Sequence, residues 1–305
     1  MARVIAKEEP DILHAHFGPA GWDARVAARV TGRPFIVSFY GLDVDSIPRG
    51  SATWRARYRR VFDDAAVVLA LGPWMAGRLV EHGADPGRIV VHHLGVPIEA
   101  IAFTRRERPG ERPLRVLIAA SFREKKGIPL ALEALARVRE RLPLSITLIG
   151  DAADNDRERQ ERRRIFDAIA REGLTDVVRH LGYVDHPTLL RLAAEHDLLV
   201  AASLTAPDGD SEGTPMTLVE LAASGIIIVT TSHADIPEIV QEGVTGFVAS
   251  PGDTDSFVAA LERAVARADD WPAIGAAARV HAAEAFDAVT QGRRLAALYE
   301  RLVAR

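Results

Sequence analysis

The residues with the clearest chemical pattern lie in DGDSEGTPMTLVE, residues 208–220. Two glutamates, Glu212 and Glu220, flank a predicted helix start, where Thr214 suits the N-cap and Pro215 suits the first turn. A carboxylate accepts hydrogen bonds from two neighbouring hydroxyl groups, and the free N–H groups at a helix N-terminus favour phosphate. The spacing therefore indicates a ligand with phosphate between two sets of hydroxyl groups, as in a nucleotide sugar.

The same two glutamates also have a purely structural interpretation. In that case Glu220 is an ordinary surface residue of the helix, and Glu212 only complements the positive end of the helix dipole. Glu220, however, lies between Val219 and Leu221, so we expect its side chain to be half-buried. This environment favours the binding role.

A basic loop, SFREKKG at residues 121–127, follows the apolar strand LRVLIAA. A cation at the carboxyl end of a strand can neutralise the negative charge of a diphosphate. Lys126, Arg123 and Lys125 are the candidate cations. A loop of solvated basic side chains is the alternative, and for Arg123 it is the favoured one.

A third candidate is the histidine pair in DILHAHFGPAG. We expect His14 and His16 to point to opposite sides of the strand. His16 lies next to Phe17 and Gly18, so we expect it to face a ligand, and we expect His14 to be packed at the strand end. A further segment, WRARYRRVFDD at 54–64, has two open interpretations: a contact with anionic lipid, or a helix with its basic face in water.

These candidates belong to two series of apolar strands alternating with helices. Such alternation predicts parallel sheets covered by helices on both faces. Residues 97–113 are rich in Pro and Arg and predict a linker. We therefore predict an α/β protein of two Rossmann-like domains around a cleft, at residues 1–105 and 106–285, with a C-terminal helix at 286–305 that packs back on the first domain.

Composition excludes several classes of protein. The chain has 305 residues and no cysteine, which excludes thiol nucleophiles, zinc ribbons, iron–sulfur clusters and disulfide scaffolds. A net charge of −4 is too mild for a dedicated nucleic-acid binder. The opening MARVIAKEEP lacks the apolar core of a signal peptide, and no run approaches the ~18 apolar residues of a membrane span. We expect a cytoplasmic enzyme, with peripheral contact at the inner face of the membrane as an option.

At the level of motifs, the sequence resembles family 4 retaining glycosyltransferases, which have the GT-B fold. The resemblance is carried by an E-x7-E segment, EGTPMTLVELAASG, and by VHHLGVPI, LGYVDHPTLL and GIIIVTTSHADIPEIV. The variant DGDSEGTP most resembles members that build exopolysaccharides of the colanic-acid type. The resemblance implies a retaining transfer of a hexose from a UDP-sugar or GDP-sugar to a glycan or lipid-linked acceptor, with neither a cofactor nor a metal ion.

The resemblance also implies roles for individual residues. Glu212 would contact the donor hexose, Glu220 the ribose hydroxyls, and His16 the sugar and the acceptor. Lys126 matches the lysine of a family pattern of arginine, four residues and lysine, and it would neutralise the diphosphate that departs during glycosyl transfer, with Arg123 or Lys125 as a source of a second charge. The donor side would further include Gly213, Thr214, Ser121, Arg123, Tyr183 and Val184. Two positions depart from the family pattern: Ser121 stands where the family has an arginine, and Tyr40 replaces the histidine of an H-G-x-D loop. Asp43 of that loop remains, and we assign Tyr40 and Asp43 to the acceptor side.

Family members also have βα units before the I-H-x-H strand that are not found here. We therefore expect a shortened N-terminal domain that is covered by self-association or by a partner chain. Two alternatives to a transferase are a nucleotide-sugar-binding module without activity of its own and a sugar-nucleotide epimerase.

Overall fold

The computed structural model describes residues 8–304. The chain divides into two compact units. Unit 1 consists of Met1–Gly95, Pro207–Thr214 and Ala288–Arg305, and unit 2 consists of Val96–Ala206 and Pro215–Asp287. Each unit is an α/β assembly with one parallel sheet, which confirms the predicted fold class.

Unit 1 is built on a four-stranded parallel sheet with the order β1-β2-β3-β4. The strands are β1 (Leu13–His16), β2 (Phe35–Ser38), β3 (Val67–Ala70) and β4 (Ile89–Val91). Its helices are α1 (Gly18–Thr31), α2 (Ser46–Arg49), α3 (Ala52–Asp64) and α4 (Pro73–Glu81). Every residue of β2 and β3 is buried, as expected for strands that are covered on both faces.

The aromatic residues of the 54–64 segment belong to the core of unit 1. Tyr58 and Phe62 of α3 are buried and pack around Phe39, and Trp54 is half-buried. Arg57 covers the Trp54 ring, with its guanidinium carbon 4.7 Å from the ring centroid. Because the aromatic side chains point inward, this helix presents mainly arginines to solvent. The geometry favours the solvated basic face over an aromatic membrane contact.

Unit 2 contains a six-stranded parallel sheet with the order β10-β9-β8-β5-β6-β7. The strands are β5 (Leu114–Ala119), β6 (Leu144–Ile149), β7 (Val178–His180), β8 (Leu198–Ala201), β9 (Ile227–Thr231) and β10 (Phe247–Ala249). The helices of this unit are α5 (Ile128–Arg139), α6 (Asp156–Arg171), α7 (His186–Glu195), α8 (Met216–Ala223), α9 (Thr254–Ala266) and α10 (Trp271–Phe286).

The two faces of this sheet bury separate apolar clusters. Val116 and Leu117, neighbours on β5, are both fully buried but belong to different clusters. In the sheet, β5 lies between β6 and β8. The chain therefore adds β6 and β7 on one side of β5 and later adds β8, β9 and β10 on its other side. At such a switch point the loops after the two central strands diverge and leave room for a ligand.

The units differ from the predicted segments in two places, and the last helix lies where the sequence predicts it. Residues 96–105, predicted as part of the first domain, belong to unit 2, and Pro207–Thr214, predicted as part of the second, belong to unit 1. The last helix, α11 (Ala288–Val303), also belongs to unit 1. There Leu298 and Leu302 pack with Ile36, Val67 and Leu69.

Candidate active site

Lys126 lies at the carboxyl end of the central strands of unit 2. It is the last residue of a short 3₁₀ turn, Glu124–Lys126, in the loop after β5. Its side chain lines a cavity together with Ala202 and Ser203, which follow β8, and with Pro215 and Thr217 at the start of α8. The structure therefore brings the predicted basic residue together with the start of the predicted site helix.

Gly127 allows this loop to approach β8. Its φ of +59° is in the left-handed region, and a Cβ atom at this position would lie 2.0 Å from the carbonyl oxygen of Ala202. An L-residue with a side chain would be strained in conformation and would also overlap the backbone. The glycine thus fixes how closely Lys126 approaches the end of β8.

The other two basic residues of the loop have different surroundings. Arg123 lies with its Nε atom 3.9 Å from a carboxylate oxygen of Glu158. Lys125 is buried, and its carbonyl oxygen accepts a hydrogen bond of 2.9 Å from the Leu204 amide. Ser121, which stands at the family's arginine position, is half-buried. Of the three basic side chains, Lys126 is the one that lines the cavity.

Glu220 lies in the second turn of α8 and is half-buried, with 22% of its side chain exposed. One carboxylate oxygen is 3.3 Å from Nε2 of His186, the first residue of α7. His186 is a residue for which the sequence pattern alone predicted no role. The sequence DHPT does contain a signal for its position. Asp185 caps α7 by accepting a hydrogen bond from the Thr188 amide, and this cap fixes His186, the residue that follows it.

Tyr183 and Val184 lie in the loop between β7 and α7, also at the carboxyl edge of the sheet of unit 2. The Tyr183 ring is 63% exposed. Its hydroxyl group donates a hydrogen bond of 2.6 Å to the carbonyl oxygen of Asp151, in the loop after β6. The phenol therefore joins two neighbouring loops of the edge and leaves the ring accessible.

The segment that precedes α8 packs against the loop after β2 and the end of β3. A Cβ atom at Gly213 would lie 2.6 Å from the carbonyl oxygen of Tyr40, so only glycine fits this approach. Thr214 donates a hydrogen bond of 3.3 Å to the carbonyl oxygen of Leu71. Glu212 is buried, with 5% of the residue exposed.

The expected N-cap role of Thr214 is corrected by this geometry. Helix α8 begins at Met216, and the residue before it is Pro215, with extended backbone angles. The hydroxyl group of Thr214 is used in the contact with Leu71 rather than as a cap. A long-range packing contact therefore replaces the local hydrogen bond that the sequence pattern suggested.

In unit 1, the two histidines of β1 lie on one face of the strand and form a stacked pair, with ring centroids 4.4 Å apart. The expectation that they point to opposite sides was wrong, because residues i and i+2 of a strand share a face. His14 bonds through Nδ1 to the Tyr299 hydroxyl at 2.6 Å and through Nε2 to the Ser38 hydroxyl at 2.7 Å. Burial, together with the neighbouring His16 and His92, lowers the pKa of His14 to about 4. His14 is thus the packed histidine, as predicted.

His16, in contrast, is exposed, and its Nδ1 is hydrogen-bonded to the hydroxyl group of Tyr40. Burial raises the pKa of Tyr40 above its usual value, so the phenol keeps its proton. The tyrosine that departs from the family pattern is therefore the direct partner of the predicted ligand-facing histidine.

Asp43 is not exposed to a ligand. It is 1% exposed, and its carboxylate accepts hydrogen bonds from the amides of Gly18 at 2.9 Å, Tyr40 at 3.0 Å and Gly41 at 3.2 Å. Burial raises the pKa of this carboxyl group, although the amide bonds partly offset the rise. Asp43 thus ties the start of α1 to the loop after β2, and its position differs from the acceptor contact that we expected.

Residues 8–304 contain neither a cluster of metal-binding side chains nor a helix that could span a membrane. No group of three or more His, Asp or Glu side chains in this range could hold a metal ion. None of the helices in this range is long and apolar enough to cross a membrane.

Comparison with known families defines the class of the protein. The model "Glycosyl transferase 4-like domain" matches residues 1–95, and the model "Glycosyl transferases group 1" matches residues 113–267. The chain therefore belongs to the group 1 glycosyltransferases, in the family 4 lineage, and it is a glycosyltransferase with the GT-B fold.

Individual relatives act in exopolysaccharide biosynthesis, as their names state. The chain is 31% identical to the amylovoran biosynthesis glycosyltransferase AmsK of Erwinia amylovora, over 99% of this chain and 73% of AmsK. It is 28% identical to the putative colanic acid biosynthesis glycosyltransferase WcaL of Salmonella typhimurium, over 95% of this chain and 70% of WcaL.

Solved structures share the fold at lower identity. Anabaena HepE in complex with UDP and glucose has a TM-score of 0.81 at 21% identity, covering 98% of this chain and 81% of HepE. The sucrose-phosphate synthase of Thermosynechococcus elongatus has a TM-score of 0.85 at 19% identity, covering 99% of this chain and 76% of the synthase.

Proposed function

We propose that this chain transfers a hexose from a nucleoside diphosphate sugar to a saccharide or lipid-linked acceptor, with retention of the anomeric configuration. The observation that carries the proposal is the cavity of unit 2, which is lined both by Lys126 and by the start of α8. UDP is favoured over GDP as the nucleotide, because the HepE structures are complexes with UDP and with UDP-glucose.

In this proposal Lys126 stabilises the leaving group. The bond between the hexose C1 and the diphosphate oxygen breaks, and its electron pair stays on the diphosphate. An ammonium group at that oxygen stabilises the growing charge more in the transition state than in the ground state. The acceptor hydroxyl attacks C1 on the same face and gives its proton to the leaving phosphate oxygen, so no general base from the protein is needed.

Glu220 is proposed to bind the two ribose hydroxyls. A half-buried carboxylate can accept both hydrogen bonds at once, and His186, 3.3 Å away, would hold its orientation. Tyr183 and Val184 would border the nucleotide in the loop after β7. Glu212 is proposed to contact the hexose hydroxyls, with the Gly213 and Thr214 backbone near the diphosphate.

Two substitutions test the proposal by separating turnover from binding. Lys126→Ala should lower the rate of transfer or of donor hydrolysis by about 10²-fold or more, and should change UDP affinity much less. Glu220→Ala should weaken UDP binding by about 1.5–3 kcal/mol, because it removes charge-assisted hydrogen bonds. Turnover is measured by UDP release, and affinity by differential scanning fluorimetry with UDP-, GDP- and ADP-sugars.

The control for Lys126 is Arg137→Ala, which removes an exposed cation that pairs with Glu133 and Asp255 on the surface. It should leave both quantities unchanged. Full turnover in Lys126→Ala, or full UDP affinity in a folded Glu220→Ala protein, would refute the assignment. Self-association, a partner chain and membrane contact remain predictions.

A further inference from the structure

A polar depression lies on the sheet of unit 2, apart from the cavity at Lys126. It is lined by residues of three neighbouring strands and of the end of α7, namely Arg115, Ser145, Thr147, Arg179, Glu195 and His196. Its volume of about 410 Å³ is within the range of small-molecule sites, about 300–1,000 Å³. Ala119, which lines the Lys126 cavity, is four residues beyond Arg115 on β5, about 13 Å away at about 3.3 Å per residue. The depression is therefore a separate feature of the unit.

The strand register places the lining side chains on one face of the sheet. Arg115 is paired with Ser145, and Thr147 is paired with Arg179. Ser145 and Thr147 are two residues apart on β6 and therefore share a face. Thr147 is 4% exposed and forms the floor, whereas the other three are exposed. Parallel sheets ordinarily bury apolar side chains on both faces, so this open part with two arginines and two hydroxyl groups is unusual.

The floor of the depression is fixed by a neutral histidine. Nδ1 of His196 lies 2.6 Å from the carbonyl oxygen of Leu192, and since a carbonyl only accepts, Nδ1 carries the proton. Nε2 is then the acceptor, and the Thr147 hydroxyl group donates to it at 2.8 Å. Burial lowers the pKa of His196, so the imidazole is uncharged at neutral pH. The charge of the depression is therefore set by its other residues.

The two arginines of the depression have no carboxylate partner among residues 8–304. Nη1 of Arg115 donates to the backbone carbonyl of Glu195 at 3.2 Å, which leaves its other N–H groups available. No ion pair or side-chain hydrogen bond of Arg179 occurs in this part of the chain. The carboxylate of Glu195 is paired with Arg191 at 2.7 Å. The depression therefore carries two positive charges that the protein itself does not neutralise.

The chemistry of these groups defines the ligand. Guanidinium groups bind phosphate oxygens through paired, charge-assisted hydrogen bonds, and a serine hydroxyl group adds a further donor. A carboxylate close to the depression, that of Asp197, is held by Arg112 at 2.6 Å and does not compete for these donors. We propose that Arg115, Arg179 and Ser145 bind the phosphate group of a small ligand, at a site separate from the proposed donor site.

Proton–nitrogen correlation NMR of the arginine Nε–H groups in the full chain tests this site. The signals of Arg115 and Arg179 are identified by their loss in Arg115→Gln and Arg179→Gln. Inorganic phosphate and methyl phosphate are titrated separately at constant ionic strength, with chloride as the anion that they replace. We expect phosphate to shift both signals, and these signals report on this site even if phosphate also binds near Lys126. Arg179→Gln should weaken the binding seen at Arg115 about tenfold, because it removes charge-assisted hydrogen bonds.

The matched control is Arg163→Gln, which removes an exposed arginine of α6 in the same unit and should leave phosphate binding unchanged. Tighter binding of methyl phosphate would support the site and identify a phosphate monoester as its ligand, whereas tighter binding of inorganic phosphate would support it with free phosphate as the ligand. The proposal is overturned if neither probe shifts the signals of Arg115 and Arg179, or if the Arg163 signal shifts in parallel with them. It is also overturned if Arg179→Gln binds phosphate as tightly as the unsubstituted chain.

Discussion

His14 shows how burial changes an ionisable group without any acid near it. Its pKa is lowered from 6.5 to about 4, first by burial and then by the nearby His16 and His92. Its hydrogen-bond partners, Ser38 and Tyr299, are hydroxyl groups, so neither adds a compensating negative charge at neutral pH. The imidazole is therefore held neutral and serves as a link between β1 and α11.

A pH dependence of stability follows from this shift. Between pH 6.5 and about 4 the unfolded chain binds a proton at His14 that the folded chain does not bind. The stabilisation is therefore complete above pH 6.5 and is lost as the pH falls toward 4. Urea unfolding at a series of pH values should show this loss, and His14→Gln should show less of it. Val30→Ala, at an exposed residue without a titratable group, should keep the dependence of the unsubstituted protein.

A second prediction at the residue scale concerns the strained backbone of Phe17, which joins β1 to α1 with a positive φ. Phe17→Gly and Phe17→Ala both remove the ring, but only glycine adopts the observed φ of 72° without cost. We expect Phe17→Gly to be more stable than Phe17→Ala by about 1–2 kcal/mol in urea unfolding. Equal stability of the two variants would mean that the backbone at this position is not strained.

At the scale of elements, the loop after β5 depends on Gly127 for its position. The structure contains a natural control, Gly173, which has a similar φ of +66° but no atom within 4 Å of a Cβ atom. Gly173→Ala should cost about 1–2 kcal/mol of stability, the penalty for the left-handed conformation alone. Gly127→Ala should cost about 1–3 kcal/mol more, because its Cβ atom would overlap Ala202.

The measurement for this pair is urea unfolding, together with UDP release. Because Gly127 follows Lys126 directly, we expect Gly127→Ala to lower turnover also in the fraction of protein that stays folded. Gly173→Ala should not lower it. If Gly127→Ala and Gly173→Ala lower the free energy of unfolding equally, the close approach of Gly127 to Ala202 does not constrain the residue at position 127.

At the scale of the whole molecule, unit 1 is assembled from segments that are far apart in the sequence. The chain passes from one unit to the other at 95–96, 206–207, 214–215 and 287–288. The C-terminal helix α11 covers β2 and β3 through Leu298 and Leu302, which are 7% and 8% exposed. Unit 1 is therefore not a contiguous N-terminal domain.

This assembly predicts a long-range effect on stability. Leu298→Ala should cost about 2–5 kcal/mol, as expected for a buried leucine, although the residue lies near the end of the chain. Val289→Ala, on the same helix but 59% exposed, should cost much less. Binding of UDP to the donor site that we propose around Lys126 and Glu220 should persist in both variants. Leu298→Ala with unchanged unfolding would show that α11 contributes little to unit 1.

The sequence alone determined the class of fold and the segments that carry the candidate site. Apolar strands that alternate with helices require parallel sheets, and this pattern is local, so it can be read without coordinates. Lys126 follows an apolar strand, and Glu220 lies two turns into a helix after a glycine-rich loop. Residues at the carboxyl ends of parallel strands, and at the starts of the helices that follow them, meet at one edge of the sheet, which is why the sequence predicts these two as site residues.

Only the tertiary structure decided which chain segments pack together and which side chains are buried. Thr214 contacts Leu71 instead of capping a helix, Asp43 is enclosed by three backbone amides, and α11 closes the sheet of unit 1. The φ of Phe17 and the lowered pKa of His14 likewise arise from neighbours distant in the chain. Local sequence preferences determine where helices and strands form. The burial of a side chain and the close approach of two backbone segments depend instead on residues that are far apart in the sequence, and no local pattern predicts which of these pack together.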